Sequence, residues 1–282
     1  MISAVSPYEE LIAYETLWAR QSSTLAKIAT FLKNVSIPSK ASFDLSDMTK
    51  KEEVEGFFSQ IPKDFSVITA ESAQYPQSLK DPKHQIKLFY YKGDLGLLEA
   101  EKRISIVGAR KTSEEGRRRA AKIARLLVKQ GYVIVSGLAA GIDTSAMEAT
   151  IDVGGKVIGV IGTPINQYYP KENKSLQDEI ANKHLLISHV PIYKYSKEPF
   201  NSKKFYFPQR NTVMAAISDA TIIVEASDTS GSLTQARACI NMGRKLFILD
   251  SCFENSSITW PKKYLEHGAI RVKSIKDIVD NL

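Results

Sequence analysis

Cysteine is nearly absent from this 282-residue chain, which has only Cys239 and Cys252. Two are too few for a disulfide framework or a thiolate metal site. Cys239 falls in a helical pattern and reads as a small buried apolar residue. Histidine is also scarce. His84, His184, His189 and His267 lack metal-ligand spacing such as HExxH and show no adjacent nucleophile partner. No metal, no cofactor and no catalytic residue is therefore expected. The nucleotide and nucleophile signatures GxGxxG, GxxxxGK[ST] and GxSxG are missing. Long apolar runs are missing too: no stretch approaches the ~20 apolar residues that cross a bilayer. The opening MISAVSPYEELIAYE is acidic and has no apolar signal core. A cytoplasmic protein with no membrane partner is expected.

What is present suits a folded α/β chain. Hydrophobic residues make up 43% of the sequence, enough for a sizeable core, and the formal net charge is +7. That moderate basic excess is compatible with a polyanionic partner without requiring one. Residues 1–62 show helical periodicity. Leu11, Ile12, Tyr14, Leu17 and Trp18 form one set, and Leu25, Ile28, Ala29, Phe31 and Leu32 a second. A third helix is expected from Asp47 to Phe58, capped by Ser46 or Asp47. This segment is expected to be a helical accessory domain, with 63–282 forming the main domain. Short β-rich runs follow at Phe65–Thr69 and Leu88–Tyr91, with loops around Tyr75-Pro76 and Asp81-Pro82. From Arg103 strands and helices alternate, with strands expected at 103–107, 132–135, 156–161, 184–188, 221–225 and 245–249. Their spacing suits crossover helices. The expected fold is α/β: an extended Rossmann-like, doubly wound, mostly parallel sheet with a small N-terminal helical domain. The helix at 113–129 should turn Ala120, Ile123, Ala124, Leu127 and Val128 inward and its arginines outward.

Five segments carry chemistry. The strand 103–107 stops at Gly108-Ala109-Arg110-Lys111, where glycine is followed by two cations. The strand 132–135 stops at Ser136-Gly137, and Gly141 opens another helix. Such turns at a parallel sheet edge offer backbone N–H groups to anions, and helix N-termini add partial positive charge. A phosphate-bearing ligand is the natural reading. Asp143 reads as a favourable first-turn charge. The third segment is Tyr168-Tyr169-Pro170-Lys171-Glu172-Asn173. In the fourth, Phe205-Tyr206-Phe207-Pro208-Gln209-Arg210-Asn211, aromatics are interleaved with an arginine and an amide. Aromatic faces stack on bases while cations track phosphates. The opposing reading places Phe205 and Phe207 in the core and pairs Arg210 with an acid. The fifth is the hydroxyl-rich loop around Ser230-Gly231-Ser232 after the strand 221–225. The outward face Arg117-Arg118-Arg119 reads more readily as solvated surface than as groove.

In this order the segments IVGARK, VSGLAAGIDTSA, YYPKEN, FPQRN, IVEASDTSGSLTQA and GRKLFIL resemble the DprA/Smf family of DNA-processing proteins. The upstream YPQSLKD and LFYYKGDL resemble that family's lead-in to the sheet. The likeness covers roughly residues 65–250. It implies an extended Rossmann fold that binds single-stranded DNA, forms a homodimer and loads a RecA-type recombinase, as in natural transformation. By match, Arg110 contacts a DNA phosphate. The turn 136–141 and Tyr169-Pro170-Lys171 line the same pocket, and Arg210, Asn211 and Ser230-Gly231-Ser232 complete it. The N-terminal helices correspond in position to the family's small helical domain.

The chain departs from the family pattern at Met147, where a histidine is usual, and at Asp250-Ser251, where Pro-Gly is usual. The segment 252–263 reads CFENSSITWPKK, and no C-terminal winged helix is expected. A competing class is the nucleotide-processing enzymes of the lysine-decarboxylase-like fold. Their PGGxGTxxE supplies a catalytic glutamate, and the corresponding loop here, 229–235, has none. A third reading is a sensor of a signalling nucleotide using the same phosphate cradle.

Overall fold

In the computed structural model, residues 6–35, 37–80 and 86–282 are described. The loop expected at Asp81-Pro82, and His84, lie outside them. Nine strands form one sheet: β1 Ser66–Thr69, β2 Leu88–Gly93, β3 Arg103–Val107, β4 Val133–Ser136, β5 Val157–Ile161, β6 Leu185–Ser188, β7 Ala220–Ile223, β8 Lys245–Leu249 and β9 Ile270–Val272. Their order is β1-β2-β6-β5-β4-β3-β7-β8-β9. From β6 to β9 every pairing is parallel, while β1 and β2 add an antiparallel edge. The expected mostly parallel, doubly wound sheet is what forms.

The central strands are apolar along their length because helices cover both faces. Ile104 and Ile106 of β3 pack with Ala120, Ala124 and Leu127 of the helix Glu114–Lys129, and with Ile142 and Ala146 of the helix Ile142–Asp152. Val107, at the opposite pleat, belongs to a cluster with Val213 and Met214 of the helix Tyr206–Ile217 and Cys239 of the helix Ser232–Asn241. Period-two alternation thus sends neighbouring residues of one strand to two different helix layers. Ser113 caps the helix Glu114–Lys129, its hydroxyl accepting from the Gly116 N–H at 2.9 Å.

The N-terminal helix Pro7–Ala19 packs its Tyr14, Leu17 and Trp18 into the same cluster as Leu88 and Phe89 of β2. Glu15, fully buried, accepts from the Tyr90 hydroxyl at 2.6 Å and from the backbone N–H groups of Ile192 and Tyr193 at 2.6 and 3.1 Å. One carboxylate therefore ties the helical segment to the sheet. The third helix starts two residues earlier than expected, at Leu45. Its cap is Asp44, which accepts from the Asp47 N–H at 3.0 Å, while the Asp47 carboxylate accepts from the Asp44 N–H at 2.9 Å. This reciprocal box satisfies two otherwise free donors, which neither Ser46 nor Asp47 achieves alone as a cap. Asp47 also holds Arg20 with two hydrogen bonds, of 2.8 and 2.6 Å. Strand β9 and the short helices beyond β8 were not expected.

The sheet order reverses at β3. The chain leaves β3 for β4 on one side and later returns as β7 on the other. Loops leaving two such strands diverge, which opens a crevice at their carboxyl ends.

Candidate nucleic-acid interface

A cavity of about 880 Å³ occupies that crevice. Its wall includes Gly108, Ala109, Arg110 and Lys111 after β3, and Ser230, Gly231 and Ser232 after β7. Tyr169, Phe207, Arg210 and Asn211 complete the expected residues found there. Residues from four distant parts of the sequence thus meet at the switch point.

Close packing dictates the glycines of the two turns. A Cβ on Gly108 would lie 2.5 Å from the Ile142 side chain and 2.8 Å from the Glu225 carbonyl. Gly141 has φ +84, and a Cβ there would meet the carbonyl oxygens of Ala109 and Arg110, each at 2.5 Å. The second turn therefore presses directly on the backbone of the first. Further bonds fasten the loops. Ala109 N–H donates to the Glu225 carbonyl at 2.7 Å, Ser232 donates to the Gly108 carbonyl at 2.9 Å, and Asn211 donates to the Gly231 carbonyl at 3.0 Å.

Arg110 stands exposed at the mouth. Its guanidinium lies 5.2 Å from the Phe207 ring centroid and 5.9 Å from that of Tyr169. The two rings are 5.4 Å apart and tilted by 53°. Cation and aromatic faces therefore form one cluster, with both kinds of group reachable from solvent.

Arg210 behaves differently. It is only 5% exposed. Its Nη1 donates to the carbonyls of Val160, at 2.8 Å, and of Gly137, and its Nε donates to Asn211 Oδ1 at 2.9 Å. Burial pushes its pKa down to about 10, against the opposing pull of Asp143. Asp143 is also buried, and burial raises its pKa in spite of Arg210 and backbone donors. Its Oδ2 accepts from the Gly137 N–H at 3.1 Å. The Gly137 peptide is thus clamped between a buried acid and a buried base. Asp143 does lie in the first turn of the helix Ile142–Asp152, as read, and it is buried there as half of this clamp.

Five of the expected residues are not on the cavity wall. Ser136 is buried, and its hydroxyl donates to the Ile106 carbonyl at 2.6 Å. Gly137 and Gly141 shape the second turn from behind. Asn173 donates to the Leu138 carbonyl at 2.9 Å and to Thr144 Oγ1 at 2.8 Å, bracing that turn. Lys171 is exposed beyond the cis peptide Tyr169-Pro170. Of the second turn itself, Ala139 reaches the cavity.

The core reading of Phe205 is overturned, since the residue is 63% exposed, and Phe207 is half-buried. Sequence reasoning missed Phe200, Lys203 and Lys204, which line the same cavity. The signal was the string EPFNSKKFYFPQRN, in which lysines and aromatics alternate just before the segment singled out. Glu225, two residues after β7, is held by Ser113, whose N–H donates at 3.0 Å and whose hydroxyl donates at 2.6 Å. Among the described residues no group of three His, Cys, Asp or Glu is arranged to hold a metal ion, and no helix is long and apolar enough to cross a membrane.

Comparison with known proteins gives the same architecture. The profile of the family described as DNA recombination-mediator protein A matches residues 66–282. The DNA processing protein DprA of Bacillus subtilis is 32% identical over 241 residues, 82% of this chain and 79% of that protein. That of Streptococcus pneumoniae is 37% identical over 205 residues, covering 73% of this chain and 70% of that protein. The solved structure of the S. pneumoniae protein matches with a TM-score of 0.78 at 29% identity, over 96% of this chain and 97% of that one. A structure of DNA processing protein A from Helicobacter pylori, studied for its single-stranded DNA binding mode, matches with a TM-score of 0.64 at 29% identity, over 77% of this chain and 94% of that one. The match spans the whole sheet and the crevice at its switch point, so the chain belongs to the DprA/Smf family of DNA-processing proteins.

Proposed function

We propose that this chain is a non-catalytic binder of single-stranded DNA that holds the strand in the β3/β7 crevice and passes it, as a homodimer, to a RecA-type recombinase. The observation that carries the binding reading is the cluster of Arg110, Tyr169 and Phe207 at the mouth. A guanidinium beside two accessible rings serves a phosphate and its bases together. Lys111 and the loop Ser230-Gly231-Ser232 add charge and hydrogen-bond donors on either side. Bases inside a duplex are stacked and paired, so this combination favours unpaired strands. Recombinase loading and dimerisation rest on family membership, as does cytoplasmic placement.

A titration against single-stranded DNA, duplex DNA and a panel of nucleotides at several salt concentrations tests the binding claim. Tighter binding to the single strand is expected. The log–log salt slope should be about −0.7 for each phosphate neutralised. Equal affinity for duplex and single strand, or a flat salt response, overturns the reading. Binding of mononucleotides without affinity for oligonucleotides marks a nucleotide sensor instead. Hydrolysis of nucleotides or labelled oligonucleotides that is lost on mutating Glu225 or Arg210 makes the chain an enzyme. Filament assembly by the cognate recombinase should speed up at substoichiometric amounts of this protein; a dimer that binds DNA without that effect serves some other task.

A further inference from the structure

We propose that Phe200 and Phe205 form a second stacking platform, over which a single strand leaving the crevice continues. Phe200 is 87% exposed and Phe205 63%. Both lie on the turn Phe200–Phe205, which follows Pro199 and leads into the helix that carries Phe207. Phenyl rings gain nothing from water, so two of them on one exposed turn call for an occupant.

Charge and continuity say which occupant fits. The sequence FNSKKF of this turn contains two lysines and no acid. Lys204 Nζ lies 5.6 Å from the Phe205 ring centroid, and Lys203 Nζ lies 4.5 Å from the Tyr195 ring. The preceding Glu198 is engaged with Lys194 at 3.8 Å. A second copy of the chain would bring the same lysines to the contact, and like charges would repel. A strand of nucleic acid brings phosphates to the lysines and bases to the rings. Phe200, Asn201, Lys203 and Lys204 also line the cavity that Arg110 enters, so the turn prolongs one track. This inference rests on the single-strand reading of the crevice and adds a second group of stacked bases beyond it.

The test compares oligothymidylates of increasing length with counterparts whose outer nucleotides are abasic and whose phosphates are unchanged. The natural protein should prefer the intact long strand, by about fivefold or more for each base stacked on the platform. Replacing both rings, Phe200→Ala with Phe205→Ala, should abolish that preference. In the single variant Phe205→Ala, whose residue is off the cavity wall, the preference should fall while affinity for short strands and the salt slope stay as they were. Phe200→Trp with Phe205→Trp should keep the preference. Arg110→Ala should weaken binding at every length. If Arg110→Ala is without effect while the platform variants still abolish the preference, the crevice reading fails and the platform stands. If the natural protein treats intact and abasic strands alike, there is no platform. If the double alanine variant changes the molar mass in light scattering, the rings are a contact between chains and the proposal is overturned.

Discussion

Arg110 and Arg210 both line the crevice, yet removing them should give opposite signatures. Arg110 is exposed and makes no buried hydrogen bond, so Arg110→Ala should leave the fold intact. Losing a charge-assisted hydrogen bond costs roughly 1.5–3 kcal/mol, or about 10- to 150-fold in affinity for single-stranded DNA. Circular dichroism and a binding titration on the same sample check both halves of that statement. Arg210 is buried against two carbonyls and faces Asp143. Arg210→Ala leaves that acid with backbone donors only and the Val160 and Gly137 carbonyls without their donor, and each buried polar group left unsatisfied costs about 1–3 kcal/mol. The expected outcome is a lower urea midpoint. Asp143→Ala should produce a similar loss. A midpoint unchanged in both variants would show that the Gly137 clamp does not stabilise the fold.

At the scale of elements, Gly141→Ala tests how the two turns are coupled. A methyl group there would strike the Ala109 and Arg110 carbonyls, and the backbone is already at positive φ. The first turn must shift, so DNA affinity should fall although Gly141 does not reach the cavity. The measurement is again a titration, with thermal melting to read the strain. Asp44→Ala, which removes the capping box of the helix Leu45–Phe58 and is not on the cavity wall, should cost about 0.5–2 kcal/mol and leave binding alone. The parallel strands were legible because burial on both faces makes them nearly continuous apolar runs, ended by glycine in β3, β4 and β5. The short β9 was not legible: Ile270-Arg271-Val272 is a three-residue edge strand with no such run. The meeting of the glycine turns at one sheet edge was legible, whereas the burial of Arg210 was not. Its partners lie 50 and 73 residues away in sequence, and only the folded sheet brings them to it. Ser136 and Asn173 carried the right motif but serve as braces, a distinction that spacing alone does not encode.

For the whole molecule, dimerisation predicts about twice the 31.4 kDa chain mass in light scattering. Stability should also carry a pH signature from Glu15. Burial raises its pKa from the ordinary 4.5 to about 7, in spite of three hydrogen bonds. The folded state therefore binds the proton more tightly than the unfolded chain does. The stabilising contribution of this group is present below pH 4.5 and is lost as pH rises towards about 7. His189 works the other way. Burial pushes its pKa down to about 4, so its contribution is lost as pH falls from about 6.5. The difference between the natural protein and Glu15→Gln isolates the acid. Urea unfolding across pH 4 to 7.5 should show that difference changing with pH; a constant difference would refute the assignment.

The partners of Glu15 have a further consequence, concerning the order in which the chain is made. The helix Pro7–Ala19 leaves the ribosome before any strand, but two of its carboxylate's three partners are 177 and 178 residues downstream. Until residues 192 and 193 emerge, two of that carboxylate's three hydrogen bonds are unmade, although β2 with Tyr90 is already outside. During synthesis the last ties of this helix to the sheet must therefore wait until β6 and the turn after it are built. A helix that precedes every strand of the sheet is among the last to be fully locked.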